Sequence, residues 1–322
     1  MTIDLDRRTL IGGFAIGATS LAIAPSALAA TTDQPLSFVV IGDWGRGTDA
    51  QHRVAAEMGR AAAAAKARFV LAVGDNFYDK GVESVDDPLW KSMFEDVYTH
   101  PALQVPWHVA LGNHDYGGNP QAQVDYTARS ARWRMPQRYY KVADRTLHQA
   151  GIDMFVIDTS PFVQSYRKDP TNPRARNMSS QDVDAQLAWL DAALGASRGK
   201  WKLVVGHHTI HSGGSAHGDT TELVERLKPI LLRRGVQVYI AGHDHDLQHI
   251  YRDGLHIIQC GAGMEARPVK PIEGTQFCIA QPGFGVMTAD DGKLTVEFRD
   301  QAGASLYRAD IPASVKRGTL AA

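Results

Sequence analysis

Apolar residues in this chain gather into short unbroken runs with helical segments between them. Residues 37–41, 69–73, 107–111, 154–157, 203–205, 236–240 and 256–258 read as buried strands, because a strand with one wet face would alternate. Between them, 50–65 reads as a helix whose alanine run 61–65 is a strong helix former. Residues 87–98 read as a helical segment and 122–133 as a further helix. The polar stretch 164–178, interrupted by Pro170 and Pro173, reads as an exposed loop. Ser179 or Ser180 is then placed to cap a helix in which Val183, Leu187 and Leu190 fall at i, i+4 and i+7. A last helix, 219–234, opens on Asp219-Thr220-Thr221-Glu222, a capping-box-like start; Pro229 should bend it and Gly235 stop it. Only beyond 283 does the pattern alternate. Val286-Met287-Thr288 and Leu294-Thr295-Val296-Glu297-Phe298 flank Asp290-Asp291-Gly292, and together they read as an antiparallel hairpin. Parallel-type strands first and a hairpin last imply an α/β fold: two mixed β-sheets packed as a sandwich flanked by helices.

The first thirty residues stand outside this pattern. Arg7-Arg8 precede an apolar stretch, 10–24, followed by Pro25 and a small-residue exit at Ala27-Leu28-Ala29. That is the layout of a secretory signal, and the arginine pair beside Thr9-Leu10-Ile11 resembles a twin-arginine export signal. A plain secretory signal with a basic start is the alternative. The apolar part falls short of the ~20 residues that span a bilayer, so no stable membrane anchor is expected. The expected layout is a signal peptide over 1–30, one domain over 31–322, and an exported, periplasmic or secreted product. With 322 residues and a formal charge of −1, nothing in the composition points to a nucleic-acid binder. No feature marks a subunit interface, so a monomer is expected. The two cysteines, Cys260 and Cys278, are too few for a Cys-rich zinc site. A disulfide and a pair of small apolar residues both remain open for them.

Five short blocks carry the chemistry, each just past a run that reads as a buried strand: Gly42-Asp43-Trp44-Gly45, Gly74-Asp75-Asn76-Phe77-Tyr78, Gly112-Asn113-His114-Asp115, Val204-Val205-Gly206-His207 and Gly242-His243-Asp244-His245. Open α/β sheets place active sites beyond the carboxyl ends of their strands. Hard oxygen and borderline nitrogen donors held there by rigid backbone suit a metallohydrolase. Asp75 can bridge two ions through its two oxygens. Paired ions ~3.5 to 4 Å apart are the arrangement used for in-line attack on phosphorus.

In their order, these blocks resemble the metallophosphoesterase superfamily and, more narrowly, the purple acid phosphatases of the small, mammalian tartrate-resistant type. Most metallophosphoesterases have Asp-x-His in the first block. Here it is Asp43-Trp44-Gly45, and Tyr78, three residues after Asp75, matches the family's iron-binding phenolate. The likeness runs from about Phe38 to Gly263 and includes Gly112-Asn113-His114-Asp115-Tyr116-Gly117-Gly118-Asn119, Arg132-Trp133 and Gly242-His243-Asp244-His245-Asp246-Leu247-Gln248.

The resemblance implies an acid phosphatase that takes small phosphomonoester substrates and releases inorganic phosphate. It implies one ion on Asp43, Tyr78, His245 and bridging Asp75, and a second on Asp75, Asn113, His207 and His243. Two private anions in the first set suit Fe(III); amide and imidazole in the second suit Fe(II), Zn(II) or Mn(II). It further implies attack by a metal-bound hydroxide, with His114 and His217 binding phosphate and protonating the leaving alcohol. The spacing from His207 to His217 is one residue longer than in the mammalian type, which leaves His211 as a rival. Asp115 is a candidate for holding His114 in its tautomer, Asp244 and Asp246 for orienting the flanking histidines or equally for plain loop solvation, and His249 for supporting the ligands from behind, while Trp44 and Phe77 are expected in the core. A dinuclear phosphodiesterase or nucleotidase would share the metal core, and comparing a monoester with its diester separates it. A non-catalytic metal- or phosphate-binding protein has little need of His114, and turnover no faster than in a metal-stripped control would identify it.

Overall fold

The computed structural model describes residues 35–290 and 292–313. The expected export signal, 1–30, lies outside them. β1 (Leu36–Ile41), β2 (Val70–Val73), β3 (Trp107–Ala110) and β4 (Trp133–Arg134) are parallel neighbours in one sheet. The chain then builds a second sheet from β5 (Tyr140–Lys141), β6 (Ile152–Val156), β7 (Trp201–Val205), β8 (Val238–Ala241), β9 (Leu247–Arg252), β10 (Leu255–Cys260) and β11 (Thr275–Ile279). It returns to the first with β12 (Gly283–Ala289), β13 (Lys293–Asp300) and β14 (Ser305–Pro312). The strand orders are β14-β13-β12-β1-β2-β3-β4 and β11-β9-β10-β8-β7-β6-β5. The first sheet is antiparallel from β14 to β1 and parallel from β1 to its β4 edge, and the second has a parallel centre between antiparallel flanks, so both are mixed, as the sequence implies.

The unbroken apolar runs are explained by burial on both faces. Met154, Val156, Leu203, Val205, Val238, Ile240 and Ile258 join Phe38, Val40 and Leu71 of the first sheet in one core. Their strand neighbours Phe155, Val204, Tyr239 and Ile257 face the other way, onto Leu190 and Leu194 of the helix Val183–Ala196 and onto Leu223, Leu227 and Leu231. The first sheet is covered by the helix Asp49–Ala65, through Val54, Ala55 and Met58. Thr48 caps that helix by accepting from the Gln51 amide.

Several local expectations fail, each for a visible reason. Residues 122–133 are not one helix. Asn119 caps a short helix, Pro120–Asp125, and the chain then turns, with the Ser130 hydroxyl accepting from the amides of Arg132 and Trp133. Trp133 is thereby delivered to pair with Trp107. Within 164–178, a helical turn at Gln164–Arg167 and the helix Pro173–Met178, capped by Asn172, replace the exposed loop, and Met178 is buried. The cap of the next helix is Asp182, accepting from Ala185, rather than Ser179 or Ser180. The expected capping box at 219–222 does not form. Asp219 instead binds His211 and the Ser212 amide, while Glu222 accepts from the Gln164 amide. Ahead of Pro229 the helix widens into a π-turn at Leu223–Leu227. The hairpin gains a third strand, β14.

Cys260 and Cys278 are both free. They sit on strands either side of β9, opposite Leu247 and Gln248 respectively. Strands two apart lie about 9–10 Å from each other, beyond the Cα separation of about 7 Å that a disulfide tolerates. Adjacent register positions also point to opposite sheet faces.

Candidate metal centre

The same local step recurs five times at the carboxyl ends of parallel strands. Ile41, Val73, Val205 and Ala241 each end a strand, a glycine follows, and the next residue is Asp43, Asp75, His207 or His243; Asn113 follows Gly112 after β3. Asp43, Asp75 and His243 adopt left-handed backbone, with φ of 55°, 48° and 76°. Non-glycine residues avoid that region, at a cost of ~1–3 kcal/mol each, and such strain gathers at functional sites. The preceding glycines let the backbones close in. A Cβ on Gly112 would stand 2.1 Å from Asp75 Oδ1, and one on Gly74 would stand 2.6 Å from His207 Nδ1.

All seven candidate ligand side chains converge, and all are buried. Tyr78 Oη lies 3.0 Å from Asp43 Oδ1, 2.9 Å from Asp75 Oδ2 and 3.2 Å from His245 Nε2. His245 Nδ1 lies 2.7 Å from Glu265 Oε1 and donates to it, which turns the Nε2 lone pair toward the cluster. One phenol proton cannot serve three acceptors. On the other side, His207 Nδ1 lies 2.9 Å from the Val73 carbonyl and donates to it. Its Nε2 is then 3.2 Å from Asn113 Oδ1, 3.2 Å from His243 Nδ1 and 3.4 Å from Asp75 Oδ2. Asp75 Oδ2 therefore faces both groups. Asp43, Asp75 and His207 form one potential metal-holding triad, and His207, His208 and His243 another.

The charges explain what this arrangement lacks by itself. Burial, then the Asp43 and Asp75 carboxylates, push the Tyr78 phenol well above its usual range. Burial would lower His207, but the Asp75 and Asp43 charges overrule it and raise it to about 9. Burial, reinforced by His208 and His207, holds His243 well below the usual imidazole value. Two buried carboxylates each cost several kcal/mol to desolvate unless compensated. Lone pairs converging on two adjacent points suit two cations, so the residues fit a metal pair.

The surroundings fix the ligands. The Asp115 carboxylate does not hold His114. It accepts from the amides of Gly112, Asn76 and Phe77 and from the side chains of Asn76 and Gln123, stitching the second block to the third. Asp244 does not orient its neighbouring histidines either: it accepts from the His217 and Gly218 amides and from the Ser212 hydroxyl. Asp246 accepts from Gln248 and Gln259. His249 lies with His256 and Tyr307. Trp44 and Phe77 pack into an aromatic floor with Trp90, Phe94 and Trp107.

His114 donates its backbone amide to Asp75 Oδ1 at 2.8 Å, and its ring Nδ1 lies 2.6 Å from the Asp79 carbonyl. His217 stacks on His243 with ring centroids 4.0 Å apart. His211 is engaged elsewhere, between Asp219 and Lys228. Sequence reasoning missed Glu265, which sits twenty residues from His245 with no motif around it.

Comparisons with known proteins identify the family. The family model described as Calcineurin-like phosphoesterase matches residues 36–247. Purple acid phosphatase 7 of Arabidopsis thaliana is 38% identical over 290 residues, covering 87% of each chain. Human tartrate-resistant acid phosphatase type 5 is 32% identical over 302 residues, covering 86% of this chain and 91% of that protein. A solved Plasmodium structure, GAP50, described as the anchor in the inner membrane complex, superposes with a TM-score of 0.75 at 24% identity, covering 88% of this chain and 90% of that one. That last likeness is one of fold. With the strand-end ligand pattern, the family match and the identities to whole relatives, the chain belongs to the calcineurin-like metallophosphoesterases and, within them, to the purple acid phosphatases, a family of acid phosphatase enzymes.

Proposed function

We propose that this protein is an exported acid phosphatase that hydrolyses small phosphomonoesters on a centre pairing Fe(III) with Fe(II), Zn(II) or Mn(II), and that it acts as a monomer. The carrying observation is the asymmetry of the two donor groups. With their protons displaced by a bound cation, Asp43, Tyr78 and His245 would offer two anions and one imidazole, and Asn113, His207 and His243 would all be neutral donors, with Asp75 Oδ2 between the groups. Anionic oxygen favours a trivalent ion, and amide with imidazole favours a divalent one. When bound, the pair supplies Lewis-acid charge and an acidified water for attack on phosphorus, active even at low pH.

The chain's own residues supply the rest. His114 Nδ1 is held by the Asp79 carbonyl, so Nε2 is the nitrogen without a protein partner among the described residues. It is the atom we assign to binding the phosphate and giving its proton to the departing alcohol. To His217, whose ring stacks on His243 and whose amide donates to Asp244, we assign the second contact to the phosphate. Export is supported by the sequence of 1–30, and no described helix is long and apolar enough to cross a membrane.

The test is hydrolysis of a phosphomonoester and its matched diester across pH, beside a metal-stripped control. Faster monoester hydrolysis with an acidic optimum supports the proposal. Preference for the diester would favour a phosphodiesterase, and release no faster than the control would favour a binding protein.

A further inference from the structure

The segment read from sequence as an exposed loop is bolted to the site at both ends. Tyr166 Oη lies 3.1 Å from His208 Nε2. Asn177 Nδ2 donates to the Tyr116 carbonyl at 2.9 Å and also to that of Gly118, in the turn that follows His114. Ala175 and Met178 anchor the short helix Pro173–Met178 inward. Between these ties stands Arg174, its backbone amide fixed by Asn172 Oδ1 and its Nη2 3.3 Å from His114 Nδ1.

Three arginines border the centre, and their partners differ. Arg46 lies over the Tyr78 ring and pairs with Asp79 and, at 3.9 Å, with Glu265. Arg267 pairs with Glu265 at 2.8 Å. Arg174 is half-buried, and among the described residues it has no carboxylate partner; its neighbour is the imidazole of His114. Two donor groups pressed together gain little from each other, and a guanidinium held this way offers a bidentate fork to a planar or tetrahedral anion. The phosphoryl group to be transferred belongs over the metal ligands. Arg174 meets His114 at Nδ1, one ring carbon away from the Nε2 assigned to the leaving group, and so borders that side of the substrate.

We propose that Arg174 is a specificity-determining residue that binds a second anionic group, a carboxylate or another phosphate, on the leaving-group side of the substrate. This rests on the phosphatase reading above and narrows its substrate class to phosphate esters and anhydrides whose leaving group carries a second anion.

Three substrates test it with the metal-loaded enzyme: 4-carboxyphenyl phosphate, inorganic pyrophosphate and the uncharged match 4-carbamoylphenyl phosphate. The Arg174→Gln variant should lose about 10- to 100-fold in kcat/KM on a charged substrate, chiefly through KM, as expected for a lost hydrogen bond to a charged group. Loss should stay under about twofold on the carbamoyl substrate, and Arg174→Lys should recover part of the charged activity. Loss on one charged substrate alone identifies carboxylate or phosphate as the anion. Equal losses on all three would place Arg174 on the transferred phosphoryl group and overturn the proposal, as would no loss on any. The wild-type chain turning over none of the three would overturn the phosphatase reading and the proposal together; normal turnover with no charge preference sinks the proposal alone.

Discussion

The two sheets meet at one edge and bring different chemistry to it. The β1–β3 side supplies oxygen from Asp43, Asp75, Tyr78 and Asn113, whereas the β7–β8 side supplies nitrogen from His207, His243 and His245. The oxygen side is set by backbone, through glycines that admit no Cβ and the amide-laden Asp115. Two of the nitrogen-side imidazoles are set by partners for their other ring nitrogen, Val73 carbonyl for His207 and Glu265 for His245. Neither sheet completes a donor group alone, since Asp43 and Tyr78 need His245 and Asn113 needs His207. The centre is thus a property of the packed sandwich, and the His243 amide bonded to Asp43 Oδ2 at 2.9 Å is one rivet between its halves.

The largest effect should come from the residue both groups share. Asp75→Asn should bring phosphate release down to the metal-stripped level and lower the content of both metals. One full metal equivalent with measurable turnover would show that the two groups do not share Asp75. His114→Ala separates chemistry from metal holding: kcat should fall by ~10²–10⁴-fold while metal content stays at the wild-type level, and loss of metal would make His114 structural. Glu265→Gln probes the nitrogen side alone. Removing the partner of a ligating histidine costs ~10–100-fold in metal affinity or activity, so competition with a chelator should reveal one weakened ion and one unchanged. Two equally weakened ions would erase the distinction between the two donor groups.

How much of this was legible follows from where the information lies. Each strand-end candidate ligand sits beside its own glycine and strand, so local sequence announces it. Glu265, Arg174 and the true partners of Asp115 and Asp244 are legible only in three dimensions, since their contacts join residues eight to sixty positions apart or depend on backbone amides that carry no sequence signature. The helix misread at 122–133 shows the same limit. Its apolar spacing is helical, but the pairing of Trp133 with Trp107 and the Ser130 hydroxyl turn decide the outcome. Strand β9 escaped because its polar residues Gln248 and His249 are buried, and β11 because its partly exposed residues form no apolar run.

The smallest effect concerns the far edge of the nitrogen-bearing sheet. His249 and His256 lie 2.9 Å apart through ring nitrogens, with the Tyr307 hydroxyl on His249 and the Tyr251 ring stacked on His256. Burial, helped for His249 by His256, lowers both to about 4. A histidine lowered on folding contributes stability above its unfolded value of about 6.5, and that contribution fades as pH falls toward 4. The Tm of the metal-loaded protein should therefore decline between about pH 6.5 and 4, and His256→Phe should flatten the decline. An unchanged slope would remove this pair from the acid limit.

The central claim is the unequal metal pair with a phenolate on its trivalent member. The direct measurement is the visible absorption spectrum of the purified protein and of Tyr78→Phe, each at known metal content. The account predicts two metals per chain with iron among them, a visible band in the wild type, and loss of that band in Tyr78→Phe with iron retained. An iron-loaded wild type without the band, or a band unchanged by the substitution, would contradict it.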